Sequence, residues 1–183
     1  MISSDILGID FSLSSPAYTL VSATKVSCVV YTNIKRQREF YNPPNFYLTI
    51  YPIKQNFTSI YDRMLYFANI TSEQIQSVES IYLEDYSFSS VGKVFTIAEI
   101  TGFVKYQCWL AGKPPKLLSP TAIKKFATGK GNANKELMID AFQQQTAIDL
   151  YEILGINKHR KNKSPISDIV DSFHIAHLGK TLQ

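Results

Sequence analysis

Apolar and β-branched residues are distributed over the first fifty positions in the pattern of β-strands. Residues 6–11 form a short apolar run, and residues 17–23 and 26–34 are rich in Val, Tyr and Thr. The short polar break between the latter two segments predicts a hairpin. Residues 46–51 follow the turn-forming sequence Asn-Pro-Pro-Asn and predict a further strand.

From residue 60 onward, apolar residues also recur at helical spacing. Four of them, between residues 60 and 68, share one face of a predicted helix. Residues 78–84 return to a strand pattern. Residues 94–110 predict a long helix, which Gly102 interrupts without ending.

Three more helices are predicted in the last third of the chain. One begins at Pro120 and is followed by a glycine-containing break. A strong helix is predicted over residues 135–154, where Gly155 stops it. Ser164 and Pro165 predict the start of the last helix, with the serine as N-cap and the proline as the first helical residue.

This order of elements predicts an α/β fold, in which helices lie on the faces of a mixed sheet. The 183 residues, 45% of them hydrophobic, contain no repeat or linker, so we expect a single domain over 1–183. The absence of an eighteen-residue apolar run and of a leader pattern predicts neither a membrane span nor a secretory signal. Cys28 and Cys108 fit no metal-ligand spacing and are predicted to be reduced, packed thiols.

Four carboxylates stand where buried elements are predicted to end or begin. Asp10 follows an apolar run, Glu84 ends a strand pattern, and Asp168 and Asp171 lie three residues apart near the start of the last helix. An acid in an apolar element costs free energy unless it is paired or coordinates a cation. Together the four predict a divalent-metal centre. Two ions roughly 3.5–4 Å apart would there stabilise both the attacking and the leaving oxygen of a phosphoryl displacement.

Each carboxylate also has a plainer interpretation, and the residues alone leave both open. Asp10 could cap the turn that follows it, and Glu84 could mark the point where its strand reaches water. Asp168 and Asp171 are neighbours on one helix face. That face could be solvated, because most of the helix's apolar residues form a stripe roughly opposite.

The positive charge of the chain is concentrated in two segments. The net charge is +4, but residues 86–135 contain eight lysines and a single acid, Glu99. A second basic cluster occupies residues 158–163. Such local excess predicts a polyanionic partner, with a merely solvated lysine face as the alternative.

In their order along the chain, these motifs resemble those of the RuvC-type Holliday junction resolvases, within the RNase H-like superfamily. Residues 7–10 with Ser12 are similar to the family's first motif, and residues 82–84 to its second acidic motif. Residues 124–135 are similar to its lysine-containing segment, and residues 167–172 to its terminal DxxD helix. The ordered set spans nearly the whole chain.

The resemblance implies an RNase H-like α/β fold, with a mixed five-stranded sheet and helices on both faces. It implies a homodimer with two active sites, each using two Mg²⁺ or Mn²⁺ ions. The activity would be that of a crossover junction endodeoxyribonuclease in DNA recombination and repair. Such an enzyme resolves four-way junctions by paired symmetric nicks that leave 5′-phosphate and 3′-hydroxyl ends. The expected location is the cytoplasm of a bacterium or of a phage-infected host.

The family's catalytic and metal-binding residues carry over, by resemblance, to four positions: Asp10, Glu84, Asp168 and Asp171. The candidate DNA-binding residues are Lys124, Lys125, Lys130, Lys135, Tyr86 and Phe88. Bacterial members have an aromatic residue three positions after the second acid, where this chain has Ser87. Tyr86 and Phe88 are therefore both candidates for opening the junction. The segment 33–45 is an apparent insertion of open function.

Two other functions remain compatible with the sequence. One is a nuclease that cuts forks, flaps and three-way DNA without requiring a four-way junction. The other is a junction-binding protein without activity, which the loss of an acid would have favoured and the intact set does not. His159, His174 and His177 are expected to be packed or solvated rather than catalytic.

Overall fold

The computed structural model describes residues 5–42, 44–86 and 94–183. Its strands form one mixed sheet in the order β4-β5-β3-β2-β1-β6-β7. The strands are β1 Ile6–Asp10, β2 Ala17–Val21, β3 Val26–Thr32, β4 Arg38–Asn42, β5 Phe46–Pro52, β6 Ser80–Glu84 and β7 Lys116–Leu118. The helices are α1 Ile60–Gln74, α2 Val94–Leu110, α3 Pro120–Thr128, α4 Lys135–Thr146, α5 Leu150–Leu154 and α6 Ile166–Thr181.

Strand direction brings several carboxyl ends to one edge of the sheet. β1 runs parallel to β6, β6 to β7, and β3 to β5, while β2 is antiparallel to both β1 and β3. The carboxyl ends of β1, β3, β5, β6 and β7 therefore lie together. We call this side of the sheet the carboxyl edge.

The predicted mixed α/β sheet is confirmed, but the expected count of five strands is wrong. Two further strands extend the sheet at its ends, β4 next to β5 and the three-residue β7 next to β6. β4 lies inside the segment 33–45, so the apparent insertion forms an edge strand. Its pattern of exposed and half-buried residues gave no apolar alternation to predict it from.

Helices cover both faces of the sheet, as expected. Ile6 packs in a core cluster with residues of α3, α4, α5 and α6. Leu7 and Ile9 point the other way, into a cluster with residues of α1 and α2. The two-residue period of β1 thus assigns its even-numbered residues to the α6 side of the sheet.

Gly8 allows α6 to lie directly against β1. A β-carbon on Gly8 would lie 2.8 Å from Cα of Ala176, and closer still to the backbone of Ser172 and Ala176. A glycine inside a strand marks such a close approach of two backbones. On the same helix, Gly179 is in equivalent contact with the ring of Tyr82.

The helix predicted over residues 135–154 is in fact two helices. α4 ends at Thr146, and Ala147 adopts the left-handed conformation with φ of 59°. The Asp149 carboxylate then caps α5 by accepting from the backbone amides of Tyr151 and Glu152. This N-cap is the local signal for a new helix start that the apolar spacing concealed.

The last helix also begins differently from the prediction. Pro165 occupies the N-cap position without a side-chain cap, and α6 starts at Ile166. The hydroxyl of Ser164 does not cap the helix because it donates to the carboxylate of Asp168 instead. Cys28 and Cys108 are buried free thiols, as predicted. Across the described ranges, no helix has the length and hydropathy required to span a membrane.

Candidate active site

Asp10 and Glu84 lie side by side at the carboxyl edge. The parallel register pairs Ile9 with Leu83, and each acid is the next residue of its strand. Asp10 is on the same side of β1 as Gly8, and Glu84 on the same side of β6 as Tyr82, which packs in the α6 cluster. The Asp10 side of this pair is buried, with 9% of the residue exposed.

Asp168 and Asp171 reach the same place from the first turns of α6. All four carboxylates line one cleft, together with Lys124 from the end of α3 and Lys135 from the start of α4. We call this the acid cleft. The packing of α6 on β1 through Gly8 is what carries the two helical acids to the two strand acids.

The carboxylates of the acid cleft raise one another's pKa values. Burial, followed by the charges of Asp168, Asp171 and Glu84, raises the pKa of Asp10 well above its usual range. Burial, then Glu84 and Asp168, raises the pKa of Asp171 to about 7. Burial also raises the pKa of Glu84, against the opposing effect of Lys124 and Lys135. The cluster therefore carries more negative charge than its own surroundings neutralise.

The lysines offset this charge from a distance. None of the salt bridges among the described residues involves any of the four acids. Lys135 opposes the pKa rise of Asp10, Glu84 and Asp171 but points its ammonium at Ser167, 3.5 Å away. The cleft thus combines acids without direct partners and cations that remain free to meet another anion.

Two serine hydroxyls hold Asp168. Ser15, at the end of the loop after β1, donates to Oδ2 of Asp168 at 2.5 Å. Ser164 donates to the same oxygen, and the two hydroxyls also contact each other. Ser15 is itself fixed, because its amide donates to Oγ of Ser12 at 2.9 Å. The sequence contained no signal for Ser15, which lies 153 residues from Asp168.

Two further lysines of the cleft were recognised in the sequence only as members of a basic cluster. Lys161 and Lys163 line the acid cleft opposite the strand acids. Lys163 is nearly buried, and its ammonium donates to the carbonyl of Lys158 at 2.7 Å. Its ion pair with the exposed Glu136 is loose, at 3.5 Å.

The other predicted DNA-binding residues lie around the cleft rather than in it. Tyr86 lines a smaller neighbouring cleft that Asp10 and Glu84 also border. Its hydroxyl donates to the carbonyl of Ala98 at 3.2 Å, and the ammonium of Lys105 lies 4.3 Å from its ring centre. Lys125 and Lys130 are exposed, on α3 and on the turn after it. Phe88 lies outside the described residues.

The histidines are packed or exposed, as expected. Burial lowers the pKa of His174 to about 4, although the backbone of Met138 opposes the shift. Nδ1 of His177 lies 2.9 Å from the carbonyl oxygen of Phe173. His159 is exposed on the loop before α6. These three residues do not line the acid cleft.

The donor set of the cleft is oxygen only, which fits a hard divalent cation such as Mg²⁺ or Mn²⁺. In the arrangement described, no three His, Cys, Asp or Glu side chains of residues 5–42, 44–86 and 94–183 are grouped as metal ligands. Asp168 is engaged by its two serines instead. The chemistry of the donors therefore fits a metal, while the side-chain positions are those of a metal-free protein.

No protein-family model and no curated protein sequence matches this chain. Solved structures do resemble it. RuvC of Thermus thermophilus matches with a TM-score of 0.56 at 15% identity, over 96% of this chain and 97% of that one. The same protein in complex with a Holliday junction substrate matches with a TM-score of 0.59 at 15% identity, over 97% and 96%.

A viral protein shows the same likeness. The fowlpox virus resolvase, in a complex with substrate Holliday junction DNA, matches with a TM-score of 0.50 at 18% identity, over 97% of each chain. At these identities the similarity concerns architecture, and it extends from one end of the chain to the other. The chain has the RNase H-like fold of the RuvC-type Holliday junction resolvases, as its order of motifs predicted.

Proposed function

We propose that this protein is a metal-dependent endonuclease that resolves four-way DNA junctions by paired symmetric nicks. The observation that carries the proposal is the acid cleft, in which four carboxylates from β1, β6 and α6 face lysines from α3 and α4. The two similar proteins that are complexed with Holliday junction DNA support branched DNA as the substrate class.

Asp10, Glu84, Asp168 and Asp171 would hold the metal. Bound Mg²⁺ or Mn²⁺, as two ions per active site, would supply an activated water and stabilise the 3′-oxygen leaving group. The strand acids are fixed by the sheet register, while the two helical acids depend on the seating of α6. The mutual repulsion that raises the pKa values of Asp10 and Asp171 favours a cation between them.

The lysines of the cleft would bind the substrate's phosphates. Lys124 and Lys135 are placed to meet the scissile phosphate and to offset the charge that develops on its oxygens. Lys161 and Lys163 would contact neighbouring phosphates of the same strand. With water as the nucleophile no covalent protein intermediate forms, and the cut leaves a 5′-phosphate and a 3′-hydroxyl that ligase can join.

Tyr86 is the described candidate for a stacking contact with an unpaired base. Its ring is 40% exposed and stands beside the two strand acids. An aromatic side chain at this point could stack on a base that leaves the helix at the junction centre. Phe88, two residues on, stays a prediction from the sequence.

Paired cuts in opposite strands need two active sites, and we propose that α2 supplies the dimer interface. α2 has exposed apolar residues on its surface: Phe95 is 83% exposed, Trp109 60%, Leu110 54% and Tyr106 50%. Tyr106 and Trp109 stack with ring centres 5.8 Å apart. Apolar residues exposed together in this way are typical of a protein–protein contact.

The test is cleavage of a synthetic four-way junction with Mg²⁺, with Mn²⁺ and with EDTA. We expect symmetric nicks in opposite strands, only in the presence of divalent metal, and sealing of the products by ligase. Asp10→Asn should lower cleavage about 10³-fold, because metal-held charge stabilisation amounts to several kcal/mol. Junction binding in EDTA should persist in this variant.

The matched control is Asp140→Asn, which removes an exposed carboxylate of α4 outside the acid cleft. It should cut like the wild type. Equal cleavage of three-way and flap substrates would identify a general branched-DNA nuclease instead. Binding without cleavage in either metal would identify a non-catalytic junction-binding protein, and full activity of Asp10→Asn would refute the assignment of the site.

A further inference from the structure

A second cleft opens near the acid cleft and is lined by two arginines. Arg38 begins β4, and Arg160 lies on the loop between α5 and α6. Between them the cleft has polar side chains from the end of β3 and an apolar floor that includes Ile50 and Ile156. We call it the arginine cleft. None of the described residues that line it is acidic.

Strand direction places the arginine cleft at the carboxyl edge. Arg38 pairs with Ile50 in the antiparallel ladder between β4 and β5, so it stands near the carboxyl end of β5. Thr32, the last residue of β3, lines the same cleft. The carboxyl ends of β3 and β5 lie on the side of the sheet where Asp10 and Glu84 end their strands. Both clefts therefore open at one edge.

One short loop forms the boundary between the two clefts. Lys161 and Lys163 line the acid cleft, while Arg160 and Ser164 line the arginine cleft. Ser164 also donates to the carboxylate of Asp168. A chain of phosphates that passes over this loop would meet cations on both sides of it.

The two guanidinium groups are not satisfied by the protein. In the described part of the chain, neither Arg38 nor Arg160 forms an ion pair or a side-chain hydrogen bond. The nearby residues Lys35 and Arg36 are exposed and add positive charge. The exposed Glu39 accepts from the side chain of Gln37 at 2.7 Å.

Unpaired arginines across an acid-free cleft suit a phosphodiester backbone. The planar guanidinium donates two parallel hydrogen bonds to a phosphate, and it is less strongly hydrated than an ammonium group. A DNA arm presents such phosphates at regular spacing, and contacts of this kind position the duplex without reading its sequence.

We propose that the arginine cleft binds the sugar-phosphate backbone of a DNA arm beside the cleavage site, with Arg38 and Arg160 as its phosphate contacts. The extra strand β4 would thus extend the DNA-binding surface beyond the acid cleft and its lysines. The inference rests on the proposed function, because it requires DNA at the acid cleft. It assigns a role to the segment 33–45 and to the first half of the basic cluster 158–163.

The experiment compares the double variant Arg38→Gln/Arg160→Gln with the wild type in junction binding at several salt concentrations in EDTA. We expect the Kd to rise at least about tenfold near 0.1 M salt. The slope of log K against log salt should fall by about 2, one for each lost phosphate contact. Ethylation interference should disappear at phosphates of one arm. Cleavage at saturating protein should remain within about twofold of the wild-type rate, because neither arginine lines the acid cleft.

The matched control is Lys25→Gln/Lys180→Gln, which removes two charges at the opposite edge. Lys25 belongs to the β2–β3 turn, and the ammonium of Lys180 lies 3.4 Å from the carbonyl of Ser22 in that turn. It should change the salt slope by much less than the arginine variant. Arg38→Lys/Arg160→Lys keeps the charge and should retain the slope with an intermediate Kd.

The outcomes separate this inference from the proposed function. If the wild type binds and cuts four-way junctions but the arginine variant matches it, or matches the lysine control, the arginine cleft is not a DNA site. If the wild type binds no branched DNA, the proposed function itself fails. Both arginines are exposed, and thermal unfolding of each variant checks that it is folded.

Discussion

Gly8 of β1 and Ala176 of α6 are in direct backbone contact, and this contact seats the helix that carries half of the acid cleft. A β-carbon on Gly8 would lie 2.8 Å from Cα of Ala176, where the opposing atoms belong to backbone and cannot turn aside. Asp168 and Asp171 are one and two turns before this point of α6. The glycine two residues before Asp10 therefore has a mechanical reason to be there.

We predict that Gly8→Ala destabilises the fold. Overpacking of a tight core contact typically costs about 1–3 kcal/mol, and backbone atoms relax least. Urea unfolding would measure the loss, and cleavage should fall further than stability because α6 moves with Asp168 and Asp171. The matched control is Gly102→Ala in α2, where a β-carbon meets nothing within 4 Å. This change should be neutral, or stabilising by up to about 1 kcal/mol. Equal behaviour of the two variants would contradict the role of the contact.

A second prediction concerns the pH dependence of stability without metal. The pKa of Asp171 is raised to about 7 by burial and by its neighbouring acids. An acid whose folded pKa is raised contributes stability at low pH, and this contribution is lost as pH rises from its ordinary value through the folded value. Asp171→Asn, which cannot ionise, should therefore gain stability relative to the wild type between about pH 4 and 7, by a few kcal/mol at most.

The comparison must be made as a difference between variant and wild type. Burial lowers the pKa of His174 to about 4, so the contribution of His174 rises with pH between about 4 and its ordinary value near 6.5 and partly masks the effect of Asp171. Unfolding in EDTA at a series of pH values gives the difference directly. Addition of Mg²⁺ should stabilise the wild type above pH 7 and should do so less for Asp171→Asn. A difference that does not change with pH would show that Asp171 is not held protonated.

The lysines of the acid cleft give a third prediction. Lys124→Gln and Lys135→Gln should each reduce the cleavage rate about 10²-fold at saturating DNA, as for the loss of one donor to a transition-state oxygen. Both lysines oppose the pKa rise of Glu84 and Asp171. Removing either should therefore shift the rising limb of the cleavage pH profile to higher pH.

Lys130→Gln is the matched control for this pair. Lys130 is exposed on the turn between α3 and α4 and does not line the acid cleft. Its loss should weaken DNA binding by roughly the effect of one phosphate contact and leave the pH profile unmoved. A pH shift of the same size in all three variants would mean that Lys124 and Lys135 act only through net charge.

The site was more predictable from the sequence than the sheet that holds it. Asp10 and Glu84 each end a short apolar run, a local signal, and Asp168 and Asp171 have the spacing of one helix face. The edge strand β4 escaped prediction because it is exposed on both sides, and β7 because it has three residues. The pairing of Ser15 with Asp168 joins positions 153 residues apart and depends on the seating of α6, which no local pattern encodes.

That pairing is the basis of the last prediction. Ser15 and Ser164 donate to the same oxygen of Asp168 and so fix the direction in which its free oxygen points. Groups that orient a metal-binding carboxylate typically change metal affinity or activity by about 10–100-fold when removed. Ser15→Ala should therefore raise the Mg²⁺ concentration needed for half-maximal cleavage by about tenfold or more, with a smaller effect on the rate at saturating metal.

Ser14→Ala is the control within the same loop, since Ser14 is exposed and does not contact Asp168. The measurement is a Mg²⁺ titration of junction cleavage for both variants, together with their thermal unfolding in EDTA. Loss of the hydrogen bond to a charged group should also lower the stability of Ser15→Ala, by about 1.5–3 kcal/mol. If Ser15→Ala loses stability but keeps the wild-type Mg²⁺ requirement, the serine supports the fold at this point and does not orient Asp168 toward a metal.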